Sequence, residues 1–198
     1  MNTDLDLSPL DRPGATLVCD TAIGDGVEEA CDRALVPDPG ASVLWVSYTG
    51  SPTDRFARIP AVSGDRKAVI DVSGGTRSAA ADGSGGTEAG SVSVVEPSDL
   101  TGIGIAVAKA LADTDGVHVC FDSLTAMLQY VGTKRAYTFL NSLLGHLWNA
   151  GAQAHFHFNP EAHDDRTVAA VTSLFDARVD VADGTVRVRA SSAGRGDA

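Results

Sequence analysis

Two groupings in this chain have residue types and spacing suited to chemistry: the histidines His155 and His157, one residue apart, and the turn Gly24-Asp25-Gly26. Alternate residues of a strand face the same way, so an H-x-H strand presents both rings on one side. His163 and Asp164 follow within a few residues, and Asp122 on a neighbouring strand would complete a candidate metal set of His155, His157 and Asp122. Against that, H-x-H lacks the longer-range spacing that makes zinc motifs specific, and Phe156 and Phe158 on the other face suit an ordinary sheet strand. The glycine turn addresses phosphate chemistry. A loop of the form G-x-x-x-x-G-K-[ST] cradles phosphates with backbone N–H groups, neutralises them with a Lys and holds Mg²⁺ with a hydroxyl. Here the run Cys19 to Val27 has no Lys after its glycines, and Asp25, Glu28 and Glu29 put carboxylates where a triphosphate would lie. Gly24 and Gly26 still offer N–H donors at a helix start, and with Asp25, Asp122 and Ser123 they are the candidate nucleotide-binding residues.

The elements that must position these residues alternate between strand and helix. ATLVC (15–19) reads as a strand, followed by the glycine turn and a helix from Val27 to about Leu35. SVLWVSY (42–48) is a second buried strand, and Ser51-Pro52 opens a short helix through about Arg58. Strands follow at 67–72 and 92–95, separated by residues 73–90, a Gly/Ser-rich stretch without apolar period that reads as a mobile insertion. Ser98 or Asp99 caps a helix to about Leu111, and VHVCF (117–121) forms the central strand. A helical region from about Leu124 to Asn149, divided near Gly132, carries an apolar stripe of Phe139, Leu140, Leu143, Leu144 and Leu147. AQAHFHF (152–158) is the next strand, Pro160 leads a helix ending near Phe175, and 177–181 with 185–189 form a terminal hairpin. Near-continuous apolar strands alternating with helices predict an α/β protein with a mostly parallel sheet covered on both faces.

Within that plan Asp122 has a simple role as N-cap of the helix starting at Leu124. Arg55, just beyond the strand end at Tyr48, reads as a solvated helix charge, as a partner of Asp54, or as an anion binder. Cys19 and Cys120 end strand-like runs and read as buried small apolar residues, and Trp45 and Trp148 as packing aromatics.

The string VHVCFDSLTA (117–126) resembles the Walker B strand of RecA and KaiC-type ATPases, in which the Asp holds Mg²⁺ through water. VLWVSYTGSP (43–52) resembles the KaiC-type strand that ends in two carboxylates, one of which activates the attacking water; those positions are Thr49 and Gly50 here. More narrowly, PSDLTGIGIA, CFDSLTAMLQYV and AHFHFNPEAHD resemble a haloarchaeal family described as HTR-like or KaiC-like, of unestablished function. The resemblance implies a three-layer RecA-like fold with helices on both faces and a C-terminal β-hairpin. It also implies that the phosphate-binding Lys, its neighbouring hydroxyl and the catalytic carboxylate pair are absent while Asp122 remains. Phosphoryl transfer rests on positioning and electrostatics, so these losses together cost several kcal/mol of transition-state stabilisation. No residue is assigned a catalytic role. The expectation is a catalytically inactive, pseudo-ATPase domain acting as a regulatory or protein-interaction module, in signalling and with self-association or a protein partner. Two alternatives stand beside it: a sensor that binds ATP or another phosphate ligand weakly without efficient hydrolysis, and a His/Asp metal-binding protein. No cofactor is expected, a Mg-nucleotide being the one the residual loop leaves open.

The 198 residues fit one domain, expected over 15–190 between a flexible N-terminus (1–14) and a disordered tail (191–198). Asp and Glu number 26 against 15 Lys and Arg, for a net charge of −11, with lysines only at 67, 109 and 134. Such a carboxylate-rich, Lys-poor surface suits a salt-loving organism, where salt screens self-repulsion. It supplies no basic stripe for phosphate contacts, which argues against a nucleic-acid partner. With no apolar run of about 18 residues and an acidic, polar N-terminus, neither a membrane partner nor a signal peptide is expected, and a cytoplasmic location is.

Overall fold

Nine strands join into one sheet in the computed structural model, which describes residues 14–20, 40–73, 85–87, 90–112, 114, 116–182 and 185–190. Gly24, Asp25, Gly26 and the helix expected after them lie outside the described residues, as do most of 73–90 and both ends of the chain. The strands are β1 (Gly14–Asp20), β2 (Ser42–Ser47), β3 (Lys67–Asp71), β4 (Gly85–Thr87), β5 (Gly90–Val94), β6 (Val117–Asp122), β7 (Gln153–Phe158), β8 (Ala177–Ala182) and β9 (Thr185–Ala190). The described helices are α1 (Pro52–Arg58), α2 (Leu100–Ala112), α3 (Leu124–Tyr130), α4 (Thr133–Asn149) and α5 (Asp165–Thr172). Across the sheet the order is β4-β5-β3-β2-β6-β7-β1-β8-β9. The seven strands from β5 to β8 are all parallel, and β4 and β9 pair antiparallel at the two edges. The expected α/β architecture is therefore present, with VHVCFD at the centre of the sheet and a closing hairpin of β8 and β9.

Because successive residues of a strand face opposite ways, each buried strand supplies two cores. Leu17, Leu44, Val46, Val119, Phe121, Ala154 and Phe156 project to one side, where they meet Ile103 and Val107 of α2, Leu124 and Met127 of α3, and Leu140, Leu144 and Leu147 of α4. Phe121 stacks on Phe156 at 5.3 Å between centroids, and Phe156 meets Phe175 edge-on at 5.1 Å. The other side carries Val43, Trp45, Val69 and Cys120, covered by Phe56 of α1 and by Ile59 and Val62 beyond it.

Local chemistry sets the helix ends. Ser51 caps α1 by accepting from Asp54 N at 3.2 Å, with Pro52 at the first helical position. The Asp99 carboxylate accepts from Gly102 N at 2.9 Å, and Asp164 caps α5 by accepting from Thr167 N at 2.8 Å. The break at Gly132 divides α3 from α4 as its spacing predicts, and Gly151, at φ +62°, ends α4.

Four expectations are corrected. Asp122 is not the N-cap of α3: the Ser123 hydroxyl takes that role, accepting from Ala126 N at 3.1 Å, because Asp122 is still a strand residue with a partner elsewhere. The helix expected from Pro160 is a single 3₁₀ turn, Pro160–Ala162, broken at His163 before Asp164 starts α5. Part of the 73–90 insertion, Gly85–Thr87, pairs with β5 as an edge strand, which backbone hydrogen bonding allows without an apolar side-chain period. Trp148 is 54% exposed, whereas Trp45 is fully buried.

Candidate functional site

Parallel pairing brings the carboxyl ends of β2 and β6 side by side, with Ser47 opposite Asp122 in register. In open α/β sheets ligands bind beyond the carboxyl ends of the strands, so this is the edge at which chemistry is expected. The backbone continues the ladder past the strand end, Tyr48 N donating to Asp122 O at 2.6 Å, and the peptide between Asp122 and Ser123 is cis. Immediately after β2 the chain turns through Gly50, at φ +77°, into α1. A residue with a Cβ would be strained at that φ, and its Cβ would stand 3.4 Å from Arg55 Nη2.

That turn swings Arg55 inward. Its guanidinium forms a salt bridge with the Asp122 carboxylate, Nη2 meeting Oδ2. Nη2 also donates to the Thr49 carbonyl at 3.0 Å, and Nε donates to Ser47 Oγ at 3.4 Å. The Thr49 hydroxyl donates to the same Asp122 oxygen at 2.7 Å, and Ser47 Oγ donates to the Thr49 carbonyl. Arg55 is 5% exposed and Asp122 8%, so the pair is buried, with the carboxylate receiving charge-assisted donors from two directions. The reading of Arg55 as a solvated charge is corrected: its side chain is buried and turns to Asp122.

A second cluster lies on the face of β6 and β7 that bears Trp45. Register places Cys120 opposite His155, with Trp45 beyond Cys120 on β2 and Thr16 beyond His155 on β1. Cys120, His155 and His157 each offer a ligand atom, and the three atoms lie within 4.8 Å of one another. The two rings meet edge-on with centroids 5.5 Å apart. His155 is 3% exposed, and burial, then His157 and His118, hold its pKa well below the usual imidazole range. Its Nε2 is buried with no hydrogen-bond partner among the described residues. Asp122, expected as their companion ligand, is engaged by Arg55 and Thr49 instead; Cys120 takes its place.

The structure thus brings Thr49, Gly50 and Asp122 together at one strand edge, and it brings His155 and His157 together on one face. Ser123 serves as a helix cap beside the first group, and Gly24, Asp25 and Gly26 lie outside the described residues. Sequence reasoning missed the role of Arg55, although its place five residues past Gly50 in a Lys-poor chain was a usable signal. It also missed Cys120 as a neighbour of His155, which the shared parity of Cys120 and Asp122 on β6 could have suggested. Cys19 behaves as expected: it is buried on the opposite face, and burial pushes its thiol up to about 11.

A family model described as "Family of unknown function (DUF7504)" matches residues 13–181. No curated protein shows significant similarity to the chain. Among solved structures, the chain is similar to the uncharacterized protein PH0321 from Pyrococcus horikoshii, whose crystal structure is in complex with an unknown peptide. The two share 13% identity at a TM-score of 0.61, over 89% of this chain and 82% of that one. At that identity the likeness shows a shared fold, and 209 solved chains are similar in all, so architecture alone selects no activity.

Proposed function

We propose that this chain, which belongs to the DUF7504 family of unknown function, is a RecA/KaiC-like domain that has lost ATP hydrolysis and works as a regulatory or protein-interaction module, in signalling in a salt-loving archaeon. The observation that carries the reading is the Arg55–Asp122 salt bridge. In the resembled ATPases the corresponding carboxylate holds Mg²⁺ through water. Here a guanidinium fixed by the protein supplies the positive charge, and bringing a divalent cation to Asp122 would mean displacing it against like-charge repulsion. The position of the catalytic carboxylates is occupied by Thr49, whose hydroxyl donates to Asp122 and has no basicity for activating water, and by Gly50, which has no side chain. A site whose residual charge is neutralised from within suits a role that rests on surface recognition. The peptide in the crystals of PH0321 gives that role a chemical form, a bound polypeptide segment, which is carried here as a proposal by likeness of fold.

Thermal unfolding in about 2–3 M KCl, a range that screens the acidic surface, tests the reading against its rival, a nucleotide sensor. A ligand at 100 times its Kd stabilises by about 2.7 kcal/mol, or roughly 5–11 °C in Tm for a chain of this size. The expected result is no shift with Mg-ATP, ADP or GTP and no phosphate release above the buffer rate. A shift of that size would replace this reading with the sensor, and measurable turnover would remove both.

A further inference from the structure

We propose that Cys120, His155 and His157 bind one transition-metal ion of the zinc class on the face of the sheet that bears Trp45. The register of two parallel strands assembles the site: Cys120 and His155 are cross-strand neighbours on β6 and β7, and His157 follows His155 on the same face. One sulfur and two imidazole nitrogens form a borderline-soft donor set, which suits Zn²⁺ and its neighbours and not the hard, oxygen-seeking Mg²⁺ or Ca²⁺. Tetrahedral bonds of ordinary zinc length would separate these donors by about 3.4–3.6 Å. With all three atoms already within 4.8 Å of one another, side-chain adjustment of little more than about 1 Å closes the set.

One further observation points to a ligand. A buried imidazole nitrogen that forms no hydrogen bond forfeits its solvation, and His155 Nε2 is in that condition among the described residues. On binding, the Cys120 thiol releases its proton to solvent and coordinates as the thiolate, so two neutral rings and one anion face a dication. Three protein ligands leave a fourth position for water. Asp122 takes no part, being held by Arg55, so this site is independent of the nucleotide question.

The test is a titration of the full chain with Co²⁺ alone, after removal of any histidine tag and chelator and reduction with a phosphine. Expected are a thiolate-to-cobalt charge-transfer band and the intense visible bands of tetrahedral cobalt, saturating at about one ion per chain and bleached by Zn²⁺. Cys120→Ala should abolish the thiolate band, and His157→Ala should weaken Co²⁺ binding by more than about tenfold. Cys19→Ala, on the opposite face, should leave the spectrum unchanged. A folded wild type that gives no thiolate band in excess Co²⁺, or a Cys120→Ala variant that keeps the band, overturns the proposal. Should Cys120→Ala fail to fold by circular dichroism, His157→Ala decides alone, its side chain being only half-buried: undiminished affinity would refute the site.

Discussion

Replacing Arg55 by Met removes the guanidinium from the carboxyl edge of the sheet and leaves the buried Asp122 carboxyl group without its cationic partner. The side chains of the pair are 6% and 11% exposed, well below the level at which solvent screening would reduce their interaction to that of a surface pair. Breaking a buried pair by removing one partner costs about 3–5 kcal/mol, chiefly the penalty of an uncompensated buried charge. For a chain of this length that is roughly 6–20 °C in Tm. Asp122→Asn should cost a comparable amount, now because Arg55 is left unpaired. The double variant removes both charges and should lose well under the sum of the two single losses, since exchanging a whole buried pair for uncharged groups is often near neutral. The assay is a double-mutant cycle by denaturant unfolding, run at low salt and in about 2–3 M KCl, because ion pairs on the surface are screened by salt and buried ones much less. Single variants costing under about 1 kcal/mol, or losses additive within about 0.5 kcal/mol, would show that Arg55 and Asp122 are not a desolvated pair and would refute the reasoning.

Two further outcomes are expected. His163 stacks on Phe158 at 5.0 Å, and its pKa is lowered from 6.5 chiefly by burial, with Asp164 opposing the shift. The unfolded chain therefore takes up this proton at higher pH than the folded one, so stability is full above about 6.5 and falls as pH drops below it; His163→Phe should flatten that slope in part, His155 contributing in the same direction, and an unchanged slope by chemical unfolding at pH 5 and 7 would count against it. Gly90→Ala should destabilise by more than about 1 kcal/mol, because φ there is +147° and the new Cβ would sit 2.5 Å from Phe56 Cε1, and a neutral result would show that β5 reseats freely.

Much of the fold was legible because local patterns report local structure. Apolar runs marked the parallel strands, the Leu140–Leu147 stripe marked the buried face of α4, and Ser51-Pro52, Gly132 and Gly151 marked helix ends whose chemistry acts within one turn. The same logic failed where two local cues competed. Asp122 and Ser123 are both acceptable caps, and the choice went to Ser123 because a guanidinium 67 residues away in sequence claimed the carboxylate. An edge strand at Gly85–Thr87 escaped notice because its backbone is paired without any apolar side-chain period to announce it.

By itself, then, the sequence determined the α/β alternation, the strong negative charge, the absence of a Lys after the glycine turn, and the shared face of His155 and His157, all of which follow from residue identity and periods of about two or four. Only the tertiary structure decided which residues meet. Arg55 reaches Asp122 because β2 pairs with β6 in a register that aligns their carboxyl ends, and Cys120 joins the histidines because β6 pairs with β7. Parallel strands are joined through long crossovers, so their register is a product of whole-domain packing and leaves no mark in any short stretch of chain.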